Sequence, residues 1–414
     1  MLQSISLDGY RLLDGFTADL GQLTVVIGSN ASGKSTLLDA FGFVRDLCNI
    51  SLKDAVGWHG GIVSLLSVSR SDKRLATRVV FDNRGEDTWW SHLPASTMSY
   101  EVVLQEQRGQ VCLETERLHF TDTIPANFTG EKLIECAGGN SLVFSEVQGK
   151  LVPFDQAPSL SDPAKGASNL PTETGLVLER MRFPNEFPAL SFTRNALFSV
   201  TVFPSFNVSA FSLVRINYPE IHPGLFLLPD GSNLGAVLHE IFTRYEHRDA
   251  AEHIKQFVKT AYPFITDVTA ETAYSAPARA VLRVRENGFH RGLEIGELSD
   301  GMLRFLCLAT ALLTPAPKSL VCVDEPETGL HPKLLPIVAD MIKLASERTQ
   351  VLITTHSPEL LNHFTIDNVA AMIREDERAV WHRPGSRNAL RRLLETVSHE
   401  TLGTLHASGE LEAP

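Results

Sequence analysis

An apolar, β-branched run at residues 23–27 (LTVVI) leads straight into GSNASGKS at residues 28–35, and a helical pattern begins at Lys34. This junction constrains the chain more than any other feature. A continuous apolar run suits a strand buried on both faces. Leu37, Leu38 and Phe41 then recur at three- and four-residue spacing, one face of a helix. Between the two, Gly28, Ser29, Asn30, Ala31, Ser32, Gly33, Lys34 and Ser35 complete a G-x-x-x-x-G-K-S pattern, with Thr36 following. The glycines let the backbone curl until successive N–H groups point inward, and the helix N-terminus adds positive potential. Such a turn cradles a polyphosphate. Lys34 would reach its β- and γ-phosphates, and the Ser35 hydroxyl would ligate Mg²⁺. The alternative, a glycine-rich turn without a ligand, fits the strand before it and the helix after it less well.

The rest of the chain supplies the setting. At 414 residues, 43% apolar and 21% charged, it has material for two or three folding units and ample core. That composition excludes disorder as the main state. The apolar stretch at 305–313 is too short for a membrane span, which needs about 20 residues. The N-terminus shows neither a basic n-region nor an apolar h-region, so a cytoplasmic location is expected. Five cysteines without CxxC spacing read as reduced thiols. The net charge of −12 weakens nucleic-acid binding as an expectation, although a local basic patch is compatible with it.

Short strands are expected at 4–7 and 16–20. Segments 77–82, 100–105, 111–120 and 141–147, broken by NRGED, QRGQ and AGGN, read as a meander or small antiparallel sheet. Residues 153–175 are rich in Pro, Ser and Gly and read as a linker or mobile loop, and 176–230 show no regular pattern. Beyond Pro229, apolar stripes mark two helices, followed by β-like segments at 265–272 and 280–286. Strands and helices then alternate from 302 to 373, as in a mainly parallel α/β sheet. There is no internal repeat or sustained heptad.

Three further stretches carry candidate chemistry. LVCVDE at 320–325 is an apolar strand ending in two acids; Asp324 could hold a magnesium ion and Glu325 could polarise a water. A structural strand with a solvated turn would look the same. LSDGM at 298–302 opens an apolar helix, where Ser299 and Gly301 could present a hydroxyl and N–H groups to a phosphate; an ordinary N-cap would use the same residues. His356 follows the strand VLITT, at the strand end where open α/β sheets bind ligands. It could sense a γ-phosphate or simply be a satisfied polar histidine.

Taken in order, GSNASGKS, LSDGM, VCVDEPETGLHP and TTHSPELL resemble the P-loop, signature, Walker B with D-loop, and switch histidine of ABC-type ATPases. The stretch between Lys34 and Ser299 is far longer than in transporter ATPases and is similar to the SMC/RecF-like branch. Closer still are its stand-alone, OLD-related predicted ATPases, often labelled AAA; RINYPEIHPG, LPDGSNLGAVLHEI and LETVSHETLGTLHASGELE have counterparts there. The resemblance implies an α/β P-loop NTPase of the ABC-ATPase head type, with a mainly parallel sheet flanked by helices, an antiparallel β-rich lobe and a partly helical insertion. Residues 1–55 would form the N-terminal part of the head. Residues 56–230 would form the β-rich lobe and insertion, and 231–414 the helical and C-terminal part.

It further implies ATP and Mg²⁺ as cofactors. Lys34, Glu325 and His356 would be catalytic, and Ser35 and Asp324 would be the metal ligands. Residues 28–36 would bind nucleotide, and Ser299 and Gly301 would bind the γ-phosphate of the opposite subunit in a head-to-tail homodimer. Tyr10 or Arg11 is the expected adenine contact. Asp300 stands where the second glycine of LSGGQ is usual and places a carboxylate beside a phosphate site; Met302 replaces the glutamine. Gln148 and Gln156 are the two glutamines between 111 and 255, and neither is assignable as the Q-loop residue.

Two roles for such a switch are open. One is anti-phage defence or DNA maintenance. The other is an ATP-gated scaffold that controls a separate toxin or nuclease chain without binding nucleic acid. The stretch after His356 is too short for a TOPRIM nuclease domain, so nuclease activity would need a partner chain. A membrane partner is not expected. The long insertion disfavours a transporter ATPase, and LSDGM with the His356 strand disfavours a small-molecule kinase.

Overall fold

The computed structural model describes residues 1–82, 97–121, 132–137, 140–145, 150–153, 175–180, 188–221, 226–273, 278–315, 318–396 and 401–413. The chain forms two compact units: Met1–Gly21, Ser29–Val200 and Met372–His382 in the first, and Gln22–Gly28, Thr201–Ala371 and Arg383–Pro414 in the second.

The first unit is built on an eight-stranded sheet. Its order is Phe16–Asp19, Leu2–Asp8, Arg74–Asp82, Thr97–Gln107, Gln110–Phe120, Lys132–Ala137, Asn140–Ser145 and Lys150–Pro153. From Arg74 onward each strand pairs antiparallel with the next, which is the expected meander. The QRGQ signal forms a two-residue hairpin. Gln107 pairs with Gln110, and Arg108 and Gly109 both take positive φ (54° and 82°), the backbone of a type I′ turn. The sheet is larger than the sequence pattern implied, because Leu2–Asp8 and Phe16–Asp19 join it. Helix Lys34–Leu47 lies in this unit with Leu37, Leu38, Phe41 and Val44 buried, and packs on helices Leu52–Trp58 and Pro188–Phe198. The loop expected at 153–175 falls, from 154 to 174, outside the described residues, as do Gln148 and Gln156.

The second unit holds the parallel sheet. Leu320–Asp324, Gln350–Thr354, Leu23–Ile27 and Val369–Glu375 run side by side and parallel, with Val200–Phe203 outside Leu320–Asp324. Every residue of Leu23–Ile27 and of Gln350–Thr354 is buried, as continuous apolar runs require. Helices Asp300–Leu313 and Leu335–Ser346 contribute apolar faces to one core. A smaller antiparallel sheet, Ile265–Ala273 with Arg279–Glu286 and Leu293–Glu294, packs on helix Leu234–Thr243. All five cysteines are free thiols.

Candidate functional site

Parallel pairing puts the carboxyl ends of three motif strands at one edge of the second unit's sheet. Asp324 is in register with Thr354, and Thr354 with Val26. The Thr355 N–H donates to the Val26 carbonyl at 3.0 Å. Gly28, Asp324, Glu325 and His356 are thus all set at that edge, where open α/β sheets bind ligands.

Glu325 occupies a strained backbone conformation, with φ of 46°. Its N–H is gripped by both Thr354 oxygens, the carbonyl at 3.2 Å and the hydroxyl at 3.1 Å. The same hydroxyl donates to Asp324 at 2.5 Å, so one threonine ties the two acids together. The Glu325 carboxylate accepts from the Thr328 hydroxyl at 3.1 Å and lies 3.7 Å from His356 Nε2. Glu327, which the sequence reading missed, is a partly buried carboxylate. It accepts from the Thr355 hydroxyl at 2.6 Å and the His356 N–H at 3.1 Å. Burial pushes its pKa up, and its Oε2 has no hydrogen-bond partner among the described residues. Its position two residues beyond Glu325, inside the same turn, was the available signal.

In the first unit, the loop entering helix Lys34–Leu47 has Ala31 and Gly33 in the left-handed region, at φ of 62° and 106°. Gly33 is required twice over, by that φ and because a Cβ there would stand 3.3 Å from Met372 Cε and 3.4 Å from Ala379 Cβ. Lys34 is buried and its Nζ donates to the Ser29 carbonyl at 3.0 Å. Ser32 is fully buried, and its Oγ has no hydrogen-bond partner among the described residues. The N-cap residue is Gly33, which has no side chain to cap this helix, and Ser29, Asn30, Ala31 and Ser35 are exposed. A buried hydroxyl, a lysine held by a loop carbonyl and a helix start entered through a glycine fit a polyphosphate. Ser35 in the first unit carries a hydroxyl and Asp324 in the second a carboxylate, each by itself an oxygen donor of the kind Mg²⁺ takes.

The adenine assignment needs correction at Tyr10. Its side chain is fully buried, its hydroxyl donates to Asp39 at 2.7 Å and its ring packs against Phe43, so no face is left for a base. Arg11 is tied to Asp39 at 2.6 Å and to the His59 carbonyl at 3.0 Å. His59 bridges Asp39 (2.8 Å) and Asp46 (3.1 Å). Burial opposes its charge, but the two carboxylates outweigh burial and lift its pKa to about 9.

Back in the second unit, Ser299 caps helix Asp300–Leu313 by accepting from the Met302 N–H at 3.3 Å. The N-cap reading therefore holds, and it leaves Ser299 exposed at a 14-residue helix start. Gly301 lies against the D-loop: a Cβ there would meet the Gly329 carbonyl at 3.5 Å. The Asp300 carboxylate pairs with Arg215 at 2.5 Å.

A family model described as "AAA domain, putative AbiEii toxin, Type IV TA system" matches residues 23–83 and 192–362, more than half of the chain. A solved SMC head bound to the C-winged helix domain of ScpA is similar in fold, with TM-score 0.53 and 12% identity over 92% of this chain and 97% of that one. So is an SMC head with an extended coiled coil, bound to the C-terminal domain of ScpA derived from Pyrococcus furiosus (TM-score 0.52, 12% identity, 95% and 98% covered). ABC transporter A family member 8 of Arabidopsis thaliana is 38% identical over 76 residues, 18% of this chain; the chain spans only 8% of that curated relative. The family match covers more than half of the chain, so the chain belongs to this AAA family, and its fold is similar to that of the SMC heads.

Proposed function

We propose that the chain hydrolyses Mg-ATP and that ATP joins two copies head to tail, with hydrolysis letting them part. The observation that carries this reading is the catalytic edge. Glu325 is held in a strained turn beside Asp324, with His356 3.7 Å away and Glu327 fixing the His356 backbone. In this reading Glu325 orients and deprotonates the attacking water, His356 contacts the γ-phosphate, and Lys34 neutralises phosphate charge. Residues 28–36 wrap the nucleotide. Mg²⁺ would be held by Ser35 and Asp324 and would supply charge neutralisation on the phosphates. Ser299, exposed at its helix start, and Gly301, half-buried beside it, serve the nucleotide of the other copy. ATP can drive association only because it binds the closed dimer better than the separate chains.

Glu325→Gln is expected to hydrolyse little and to accumulate an ATP-dependent dimer by size exclusion with light scattering; Lys34→Ala is expected to form none. A Glu325→Gln protein that stays monomeric with ATP overturns the reading.

In this reading the switch acts in anti-phage defence or DNA maintenance. Within that, a second reading has its own support: the dimer presents its β-rich lobe to a separate toxin or nuclease chain without touching nucleic acid. The net charge of −12 favours it, as does the ScpA-bound state of the similar SMC heads.

A further inference from the structure

An acidic residue inside a phosphate-binding signature is a physical problem, because two anions would compete for one helix start. Asp300 is the first residue of helix Asp300–Leu313, where the N-terminal dipole already favours its charge. Bare, it would repel an arriving triphosphate. The structure answers with Arg215. This side chain is buried, at 8% exposure, whereas that of Asp300 is 69% exposed. Its Nε donates to the Val208 carbonyl at 2.7 Å, and its Nη1 to the carbonyls of Leu298 (2.7 Å) and Gly296 (3.3 Å). Its Nη2 reaches Asp300. One guanidinium therefore grips the backbone on the approach to Ser299 and neutralises the carboxylate just after it. The planar fork of arginine can do both at once, and an ammonium cannot. The other carboxylate next to this loop, Glu297, is held bidentately by Arg291 at 2.5 and 2.6 Å.

We propose that Arg215 is the positioning residue of the signature, pairing with Asp300 so that the Ser299 helix start accepts the partner copy's triphosphate. This rests on the divided-site reading above. It explains how LSDGM can serve where a glycine is usual: the added charge is cancelled from below by a side chain more than eighty residues earlier.

The test uses the full chain carrying Glu325→Gln, with ATP-dependent dimerisation followed by sedimentation in the presence of Mg-ATP. Arg215→Met is expected to weaken association roughly tenfold or more, because it leaves a bare carboxylate facing phosphate. Adding Asp300→Asn to it is expected to restore association to within about threefold. A purely structural arginine would show no such rescue. A double variant as weak as Arg215→Met, or an Arg215→Met protein that associates normally, overturns the proposal. Should Arg215→Met unfold, Asp300→Asn alone decides. Its side chain is exposed, and a paired carboxylate predicts a change of less than about threefold. A larger change in either direction overturns the proposal. If the parent Glu325→Gln protein does not associate with ATP, the divided-site reading fails and this one falls with it. A parent that associates while its Arg215 and Asp300 variants miss these outcomes removes this proposal alone.

Discussion

A carboxylate side chain at φ of 46° is an unlikely place for stability to be gained, since non-glycine residues pay of order 1 kcal/mol there. The two Thr354 hydrogen bonds hold Glu325 in that conformation. Asparagine tolerates the left-handed region better than glutamate. Glu325→Asn is therefore expected to raise unfolding stability by up to about 1 kcal/mol in chemical denaturation while ATP turnover is lost. A destabilised Asn variant would mean that the side-chain contacts of Glu325, rather than its backbone, dominate its energy. His59 gives a prediction of the opposite kind, in pH. Its folded pKa of about 9 exceeds the ordinary 6.5, so its contribution is complete below pH 6.5 and is lost as pH rises through 9. The stability difference between the native protein and His59→Gln is expected to approach about 2 kcal/mol near pH 6.5, after allowance for solvent screening, and to shrink towards pH 10. Asp39 and Asp46 act at the other end. Their pKa values are lowered, against opposing burial, chiefly by the His59 hydrogen bonds, so their share disappears as pH falls into the acid range. A difference that grows with alkaline pH would show that His59 is neutral in the fold.

Among the elements, the turn after strand Leu2–Asp8 is the least forgiving. Gly9 has φ of 72°, its N–H donates to Asp14 at 2.9 Å, and a Cβ would stand 2.1 Å from the Arg74 carbonyl oxygen of the paired strand. Gly15 has a similar φ of 63° with open space around it. Gly15→Ala is thus expected to cost about 1 kcal/mol, from backbone strain alone. Gly9→Ala should cost more than about 2 kcal/mol, because a strand must move as well. Equal melting shifts for the two would show that the strand pair adjusts freely. The same strand marks where sequence reading stops. LTVVI and the stripe from Lys34 were legible because each carries its own periodicity. The alternation of Leu2–Asp8 shows a strand but not which sheet takes it, and tertiary pairing gave it to the antiparallel lobe. Residues 176–230 were opaque because their described elements include pieces as short as Val177–Arg180 and Leu213–Ile216, too brief for a repeat to show. Asp324, Glu325 and His356 could be picked out by motif, and the sheet brings them to one edge. Arg215 could not, since what it does depends on partners far along the chain; Glu327 could be located beside Glu325, but its role depends on Thr355 and His356. Tyr10 failed for the converse reason: an aromatic beside a strand looks alike whether it faces a base or a core, and burial alone decides.

For the molecule as a whole, the question is whether the proposed dimer meets nucleic acid directly. Duplex DNA is held largely by cations that displace its counterions. Here the formal charge is −12, and many arginines are already engaged with carboxylates. Arg70 serves Asp8, Asp14 and Asp72; Arg283 serves Glu271 and Glu294; Arg391 serves Asp367. Releasing such a side chain to reach a phosphate would uncover an acid in the same place, so the exchange gains little and leaves local repulsion behind. Two joined copies double the acidic sum. The Glu325→Gln dimer with ATP is therefore expected to leave a labelled 30-base-pair duplex unshifted in an electrophoretic assay at about 150 mM salt, and to show no more than a weak shift near 50 mM. A salt-resistant shift, or one whose logarithmic salt slope corresponds to several phosphates, would reveal a basic surface formed on association. It would then place the switch on DNA rather than on a protein partner.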